Sequence, residues 1–214
     1  MFLIDRVSKS YGANAVLVNA SLEIEKGQLV VISGDNGSGK TTLLKIAATL
    51  LTPDEGNVGI KDEYGHTLVR SDNIRKFISY VSHSSFLYDN LTLNENLKLF
   101  AKLMKLGSKD EGWVDLLDRF NILQFQNAKV RELSHGTKKK VSLCRSLMQP
   151  ARLMIWDEPD SGLDDSSTRT LSEIIKGQIQ KGISVLLTSH NQSFVDTLEC
   201  DAFRLQSGSL RFKS

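Results

Sequence analysis

Three groups of residues have the types and spacing to handle a phosphate ester. The first is Gly34-Asp35-Asn36-Gly37-Ser38-Gly39-Lys40-Thr41-Thr42, in which Gly34-x4-Gly39-Lys40-Thr41 fits the pattern of a phosphate-binding loop. Glycines let a backbone wrap closely enough for its N–H groups to face phosphate oxygens. Lys40 would bridge the β- and γ-phosphates of a nucleotide, and the Thr41 hydroxyl would ligate Mg2+. The second group is Asp157-Glu158, which closes the apolar run Leu153-Met154-Ile155-Trp156. Asp157 would hold the Mg2+ through water, and Glu158 would polarise an attacking water as general base. The third is Thr188-Ser189-His190, after the run Ile183 to Leu187, where His190 is placed to contact the γ-phosphate. Taken singly, a carboxylate pair at a strand end is usually just solvated, and a lone histidine is more often structural. Their position downstream of the loop gives them weight.

The elements that must position these groups follow from hydrophobic patterning. Leu29-Val30-Val31-Ile32 is a continuous apolar run, suited to a strand buried on both faces, and it leads straight into the glycine-rich loop. Leu43, Leu44, Ala47, Ala48 and Leu51 then recur at helical spacing, until Pro53-Asp54-Glu55-Gly56 turns the chain. Before the loop, Phe2 to Val7 and Val16 to Ile24 read as strands. Residues 57–82 return to β character, ending in Phe77-Ile78-Ser79-Tyr80-Val81. From Leu91 to Gln149 the pattern is mostly helical, over Asn94 to Met104, Trp113 to Phe120 and Lys138 to Met148. The strand Leu153 to Trp156, a helix from about Ser167 to Gln180 and the strand Ile183 to Leu187 follow. Strands alternating with helices predict an α/β core on a parallel sheet, with a helical block inserted.

Composition narrows the function classes. The 214 residues are 40% hydrophobic and 24% charged, an ordinary globular balance. With 27 Lys+Arg against 25 Asp+Glu the net charge is +2, which does not make a nucleic-acid binder by bulk electrostatics. Lys138-Lys139-Lys140 is the one basic cluster and reads as a solvated helix face. Cys144 and Cys200 have no zinc or CxxC spacing and read as reduced thiols, Cys144 as a small buried hydrophobe. Trp113 and Phe120 read as core. Phe86-Leu87-Tyr88 is either an exposed apolar patch or a packed loop. Met1-Phe2-Leu3-Ile4 meets Asp5-Arg6 too soon for a secretory leader, and no run approaches the ~20 apolar residues of a membrane span. Membrane work would go through a partner.

These residues resemble the ATP-binding cassette family over nearly the whole chain. Leu133-Ser134-His135-Gly136-Thr137 lies where that family carries its Leu-Ser-Gly-Gly-Gln signature. Ser161-Gly162-Leu163-Asp164 is similar to its D-loop, His190 to its switch histidine, and Tyr11 to the aromatic that stacks on adenine. The resemblance implies a single ABC ATPase domain over 1–214. Residues 1–82 and 151–214 would form a P-loop NTPase core with a parallel sheet and an N-terminal antiparallel β-subdomain, and about 83–150 an inserted helical subdomain with the signature. It also implies ATP and Mg2+ as ligands, and a pair of cassettes packed head to tail. Ser134, His135 and Gly136 would then act on the partner chain's ATP, and Asp164 would belong to the D-loop. A separate transmembrane permease would be driven from the cytoplasmic face of the cell membrane, with the cassette peripheral to it and no nucleic acid involved.

Two positions depart from the family pattern. His135 replaces the first signature glycine, and His83, after Tyr80-Val81-Ser82, stands where the family has the Q-loop glutamine that reaches Mg2+ and the attacking water. A neutral imidazole at His83 would take that role. With Phe86 to Thr92 and Glu95-Asn96-Leu97, and no visible C-terminal accessory domain, these departures resemble the haem-exporter ATPases of cytochrome c maturation. Multidrug and polysaccharide-type ATPases share much of this pattern. A soluble ATPase acting on DNA or ribosomes would want a long heptad tract, paired CxxC or a second cassette, and a catalytically dead regulator would want its chemistry gone; neither condition is met in the sequence.

Overall fold

A computed structural model describes residues 1–61, 67–69, 72–82, 84–106 and 112–212. Two long strands open the chain, β1 (Phe2–Tyr11) and β2 (Asn14–Ile24), and β3 (Leu29–Ser33) runs into the glycine-rich loop and α1 (Lys40–Ala47). Then come β4 (Glu55–Lys61), β5 (Thr67–Val69), α2 (Asp72–Arg75) and β6 (Ile78–Val81). The helices α3 (Leu93–Leu103), α4 (Trp113–Arg119) and α5 (His135–Met148) lie between β6 and β7 (Leu153–Asp157). The chain finishes with α6 (Asp165–Gln180), β8 (Ser184–Thr188), α7 (Gln192–Asp196), β9 (Asp201–Gln206) and β10 (Ser209–Phe212).

The strands form two sheets. An antiparallel sheet has the order β2-β1-β4-β5, and a six-stranded sheet the order β10-β9-β3-β8-β7-β6. All neighbours from β9 to β6 are parallel, and β10 closes the edge antiparallel to β9. This is the α/β P-loop NTPase architecture expected, with its antiparallel N-terminal sheet and inserted helices.

Apolar runs without alternation are explained by burial on both faces. Val31, Met154, Trp156, Val185 and Leu187 pack toward α6 and the inserted helices, where Leu97, Trp113 and Phe120 share the same core. Val30, Ile32, Leu153, Ile155 and Leu186 pack on the other side, against α1 and the inner residues of β1 and β2. Trp113, Phe120 and Cys144 are buried as their patterning indicated.

Boundaries differ where backbone chemistry overrides side-chain periodicity. The helix after the loop stops at Ala47, because Thr49 takes a left-handed φ of +60° and the Leu50 N–H reaches back to Lys45 O. Helix α5 begins at His135 rather than Lys138, because Ser134 caps it. Strands β9 and β10 have no counterpart in the patterning, since Asp201 to Phe212 alternates too weakly to declare a strand.

Candidate functional site

The carboxyl ends of β3, β7 and β8 lie side by side, the place where open α/β sheets gather ligands. Beyond β3, Gly34, Gly37 and Gly39 have φ of +150°, +78° and +102°. A Cβ on Gly34 would stand 2.6 Å from the Leu205 carbonyl of β9, and one on Gly39 2.8 Å from Val16 Cγ1 of β2. Only glycine lets the loop lie this close to both sheets. Asp35, Asn36 and Gly37 form its exposed crest, and the Ser38 N–H closes a turn on Asp35 O at 3.2 Å. Lys40 is buried and folds its ammonium back over the loop, donating to Gly34 O at 2.8 Å and Asp35 O at 3.0 Å. Thr41 and Thr42 open the helix behind it.

Both carboxylate oxygens of buried Asp157 are engaged. Thr41 Oγ1 donates to Oδ2 at 2.7 Å and Thr188 Oγ1 donates to Oδ1 at 2.8 Å. The Glu158 N–H donates to the same Thr188 oxygen at 3.0 Å. Glu158 itself has a left-handed φ of +49°, a conformation that costs a bulky residue on the order of 1 kcal/mol. It aims its carboxylate at the head of β8, where Oε1 lies 3.2 Å from His190 Nε2. His190 is fixed from below, because Ser189 Oγ donates to Asp160 Oδ2 and accepts the Asn191 N–H, each at 3.0 Å. Burial pushes the Asp160 carboxyl above its ordinary range, and the Ser189 bond pulls against that shift. Burial likewise raises the Tyr80 phenol, with the charge of Asp157 adding to it.

Thr41 Oγ1 and Asp157 Oδ2, 2.7 Å apart, are a hard-oxygen pair of the kind Mg2+ uses when substrate phosphates and water complete its shell. The donor set therefore fits the cation expected from the sequence.

The signature-like segment forms a second locus. Ser134 Oγ accepts the Thr137 N–H at 3.1 Å and so caps α5, whose first residues are His135 and Gly136. A Cβ on Gly136 would meet Gly162 O at 2.6 Å, which shows how closely this helix start packs on the loop before α6. Asp164 caps α6, accepting from Ser166 Oγ at 2.6 Å, the Ser167 N–H at 2.8 Å and Lys140 Nζ at 2.9 Å. These partners, Ser166 foremost, hold its carboxyl far below the usual carboxylate range. Tyr11 is 52% exposed at the β1–β2 turn, and Asp54 braces that turn by accepting from Lys9 and from the Ser10 N–H. Val16 and Leu17, on the returning strand, lie against Gly39 of the loop. His83 lies outside the described residues.

The three lysines correct an expectation. They do not form a solvated face: one turn of helix splays them to three different pieces of the fold. Lys138 pairs with Asp89 at 3.6 Å and Lys140 with Asp164, while Lys139 is only 4% exposed and points inward. Its Nζ donates to Ser82 O at 3.4 Å and Asp157 O at 3.2 Å. Burial pulls this amine down, and the charges of Asp157, Asp160 and Glu158 oppose that. Sequence named Thr188 only as part of Thr188-Ser189-His190 and Lys139 only as part of the basic run, and it did not name Asp160; of the three, only Thr188 closes an apolar run. The segment after Ser85 divides, with Phe86 and Tyr88 exposed and Leu87 packed on the core.

The family model described as ABC transporter matches residues 17–161. The chain belongs to this family. The matched span holds the loop at 34–42, the segment at 134–136, Asp157 and Glu158, and leaves Tyr11, Asp164 and His190 outside it. Among relatives, this cassette is 34% identical over 197 residues to the macrolide export ATP-binding/permease protein MacB of Campylobacter jejuni, covering 89% of this chain but 31% of MacB. It thus spans about a third of MacB's length. It is 31% identical to the ABC transporter ATP-binding protein NatA of Bacillus subtilis, over 91% of this chain and 80% of NatA. The dimeric structure of MJ0796, a bacterial ABC transporter cassette, superposes with a TM-score of 0.88 at 25% identity, over 100% of this chain and 98% of that one. No helix among the described residues is long and apolar enough to cross a membrane.

Proposed function

We propose that this cassette binds and hydrolyses ATP to drive a separate transmembrane permease, working as a head-to-tail pair at the cytoplasmic face of the cell membrane. One observation carries the reading: Lys40, Thr41, Asp157, Glu158 and His190 converge at the ends of three adjacent parallel strands. The loop N–H groups and Lys40 bind the phosphates, Tyr11 stacks on the adenine, and Thr41 with Asp157 holds Mg2+. When bound, that cation neutralises charge on the phosphate oxygens. Glu158 accepts a proton from water as its oxygen attacks the γ-phosphorus, the bond to the ADP oxygen breaks, and ADP and inorganic phosphate leave. His190 orients Glu158 and the γ-phosphate, and His83 takes the Q-loop place. Ser134, His135 and Gly136 offer a hydroxyl and helix-start N–H groups to the partner chain's γ-phosphate. The likeness to the dimeric MJ0796 cassette supports this pairing. The test is phosphate release by the purified chain: Glu158→Gln should bind ATP like the parent and release no phosphate, and release at the parent rate would remove Glu158 from the role.

For the cargo we propose haem export, supported by His83, His135 and the run Phe86 to Leu97. The identity to MacB favours a second reading, export of another substrate, equally well. A mild-detergent pull-down from the native membranes separates them. A permease of the cytochrome c maturation type carries the haem reading, and a different permease replaces the cargo while leaving the ATPase intact. Recovery of ribosomes or DNA without a membrane protein would overturn both.

A further inference from the structure

The peptide unit between Asp157 and Glu158 is held from both sides. Its N–H donates to Thr188 Oγ1 of β8, and its carbonyl accepts from Lys139 Nζ of α5. A peptide plane gripped at both polar atoms cannot rotate without breaking one of them. This plane sets φ of Glu158, which stands at +49°. The same ammonium also holds Ser82 O, the carbonyl preceding His83, at the end of β6. One side chain therefore joins the start of α5 to the ends of two adjacent strands of the sheet.

We propose that Lys139 is a positioning residue for hydrolysis: by gripping the Asp157 carbonyl it fixes the left-handed backbone that aims the Glu158 carboxylate, and it ties that aim to the position of α5. The proposal rests on Glu158 being the general base. It gives the middle lysine of the basic run a task that a solvated face does not have. Burying an ammonium is costly without charged and hydrogen-bonding neighbours, and Lys139 has both in the two carbonyls and the acidic groups Asp157, Glu158 and Asp160. Because α5 starts with the segment assigned to the partner's ATP, a shift of that helix start would be felt at the Glu158 peptide. Lys138 and Lys140 pair the same turn with Asp89 and Asp164.

The test is a comparison of Lys139→Met, Lys139→Arg and Glu158→Gln in the full chain, reading ATP dissociation constant and kcat separately. Lys139→Met keeps the apolar stem and removes the donor. It should leave ATP affinity near the parent value and lower kcat on the order of tenfold or more, as small misplacements of a reacting group do. Lys139→Arg, which restores a donor, should recover most of kcat. Parent-like kcat in Lys139→Met, or parallel loss of affinity and kcat that arginine does not rescue, overturns the proposal. If Lys139→Met does not fold, Lys139→Gln carries the test: it keeps one neutral donor and should give reduced kcat at parent affinity. Glu158→Gln keeps the two readings apart. Turnover at the parent rate in Glu158→Gln removes the base, whereas a dead Glu158→Gln beside a fully active Lys139→Met removes only the positioning role.

Discussion

Thr188→Val is the substitution whose effect the structure defines most closely. Thr188 is fully buried, and its hydroxyl serves two partners at once, donating to Asp157 Oδ1 and accepting the Glu158 N–H. Valine has nearly the same shape, so the packing stays and only the oxygen's bonds are lost. A hydrogen bond to a carboxylate contributes about 1.5–3 kcal/mol and one between neutral groups about 0.5–1.5 kcal/mol, so losing both costs about 2–4.5 kcal/mol. In a chain of this length that lowers Tm on the order of 10 °C. The catalytic effect has a separate origin: Asp157 keeps Thr41 as a partner, but the peptide carrying Glu158 loses its β8 anchor. Turnover should fall on the order of tenfold with ATP affinity near the parent value. Differential scanning calorimetry, ATP titration and phosphate release on one preparation check all three. A variant that melts within about 2 °C of the parent and turns over at the same rate would refute the two-bond reading of this hydroxyl.

Two further substitutions address the neighbouring elements. Asp164→Ala removes the cap of α6 and the bond to Lys140, and should cost about 1 kcal/mol of stability at neutral pH. The folded-state carboxyl titrates below its unfolded value, so its contribution is complete above about pH 4 and fades only on further acidification. Melting curves of parent and variant should therefore keep a constant gap from neutral pH down to the carboxylate range and converge below it; a gap already closing near pH 6 contradicts the assignment. Gly136→Ala would put a Cβ 2.6 Å from the Gly162 carbonyl, a backbone atom that cannot swing aside. It should cost about 1–3 kcal/mol and abolish turnover, while the chain's own loop still binds ATP; full activity would show that the helix start and the loop before α6 separate freely.

What the sequence revealed and what it hid divide along a physical line. The loop at 34–42 and the acidic pair at 157–158 are legible because their chemistry is local: contiguous residues, with a buried strand immediately before each. The same holds for Trp113 and Phe120, whose burial follows from helical spacing. Lys139 was misread because a run of three lysines looks uniform in sequence, although successive helical residues are turned about 100° apart and meet different surroundings. Thr188 and Asp160 carry no motif of their own, and their importance comes from β7 and β8 being neighbours, a relation between residues 31 and 29 positions apart. Strand β9 was missed for a related reason. Its pairing with β3 and the Leu205 carbonyl that presses on Gly34 are tertiary facts, not periodic ones.

The central claim is that Glu158 cleaves ATP at a site shared by two copies of the cassette. It is tested most directly by the mass of the Glu158→Gln chain in solution with ATP and Mg2+, measured by light scattering beside the parent. The account predicts that the variant holds ATP uncleaved and persists at twice the monomer mass, while the parent returns to monomer as its ATP is consumed. A Glu158→Gln chain that converts ATP to ADP as fast as the parent and stays monomeric throughout would contradict it.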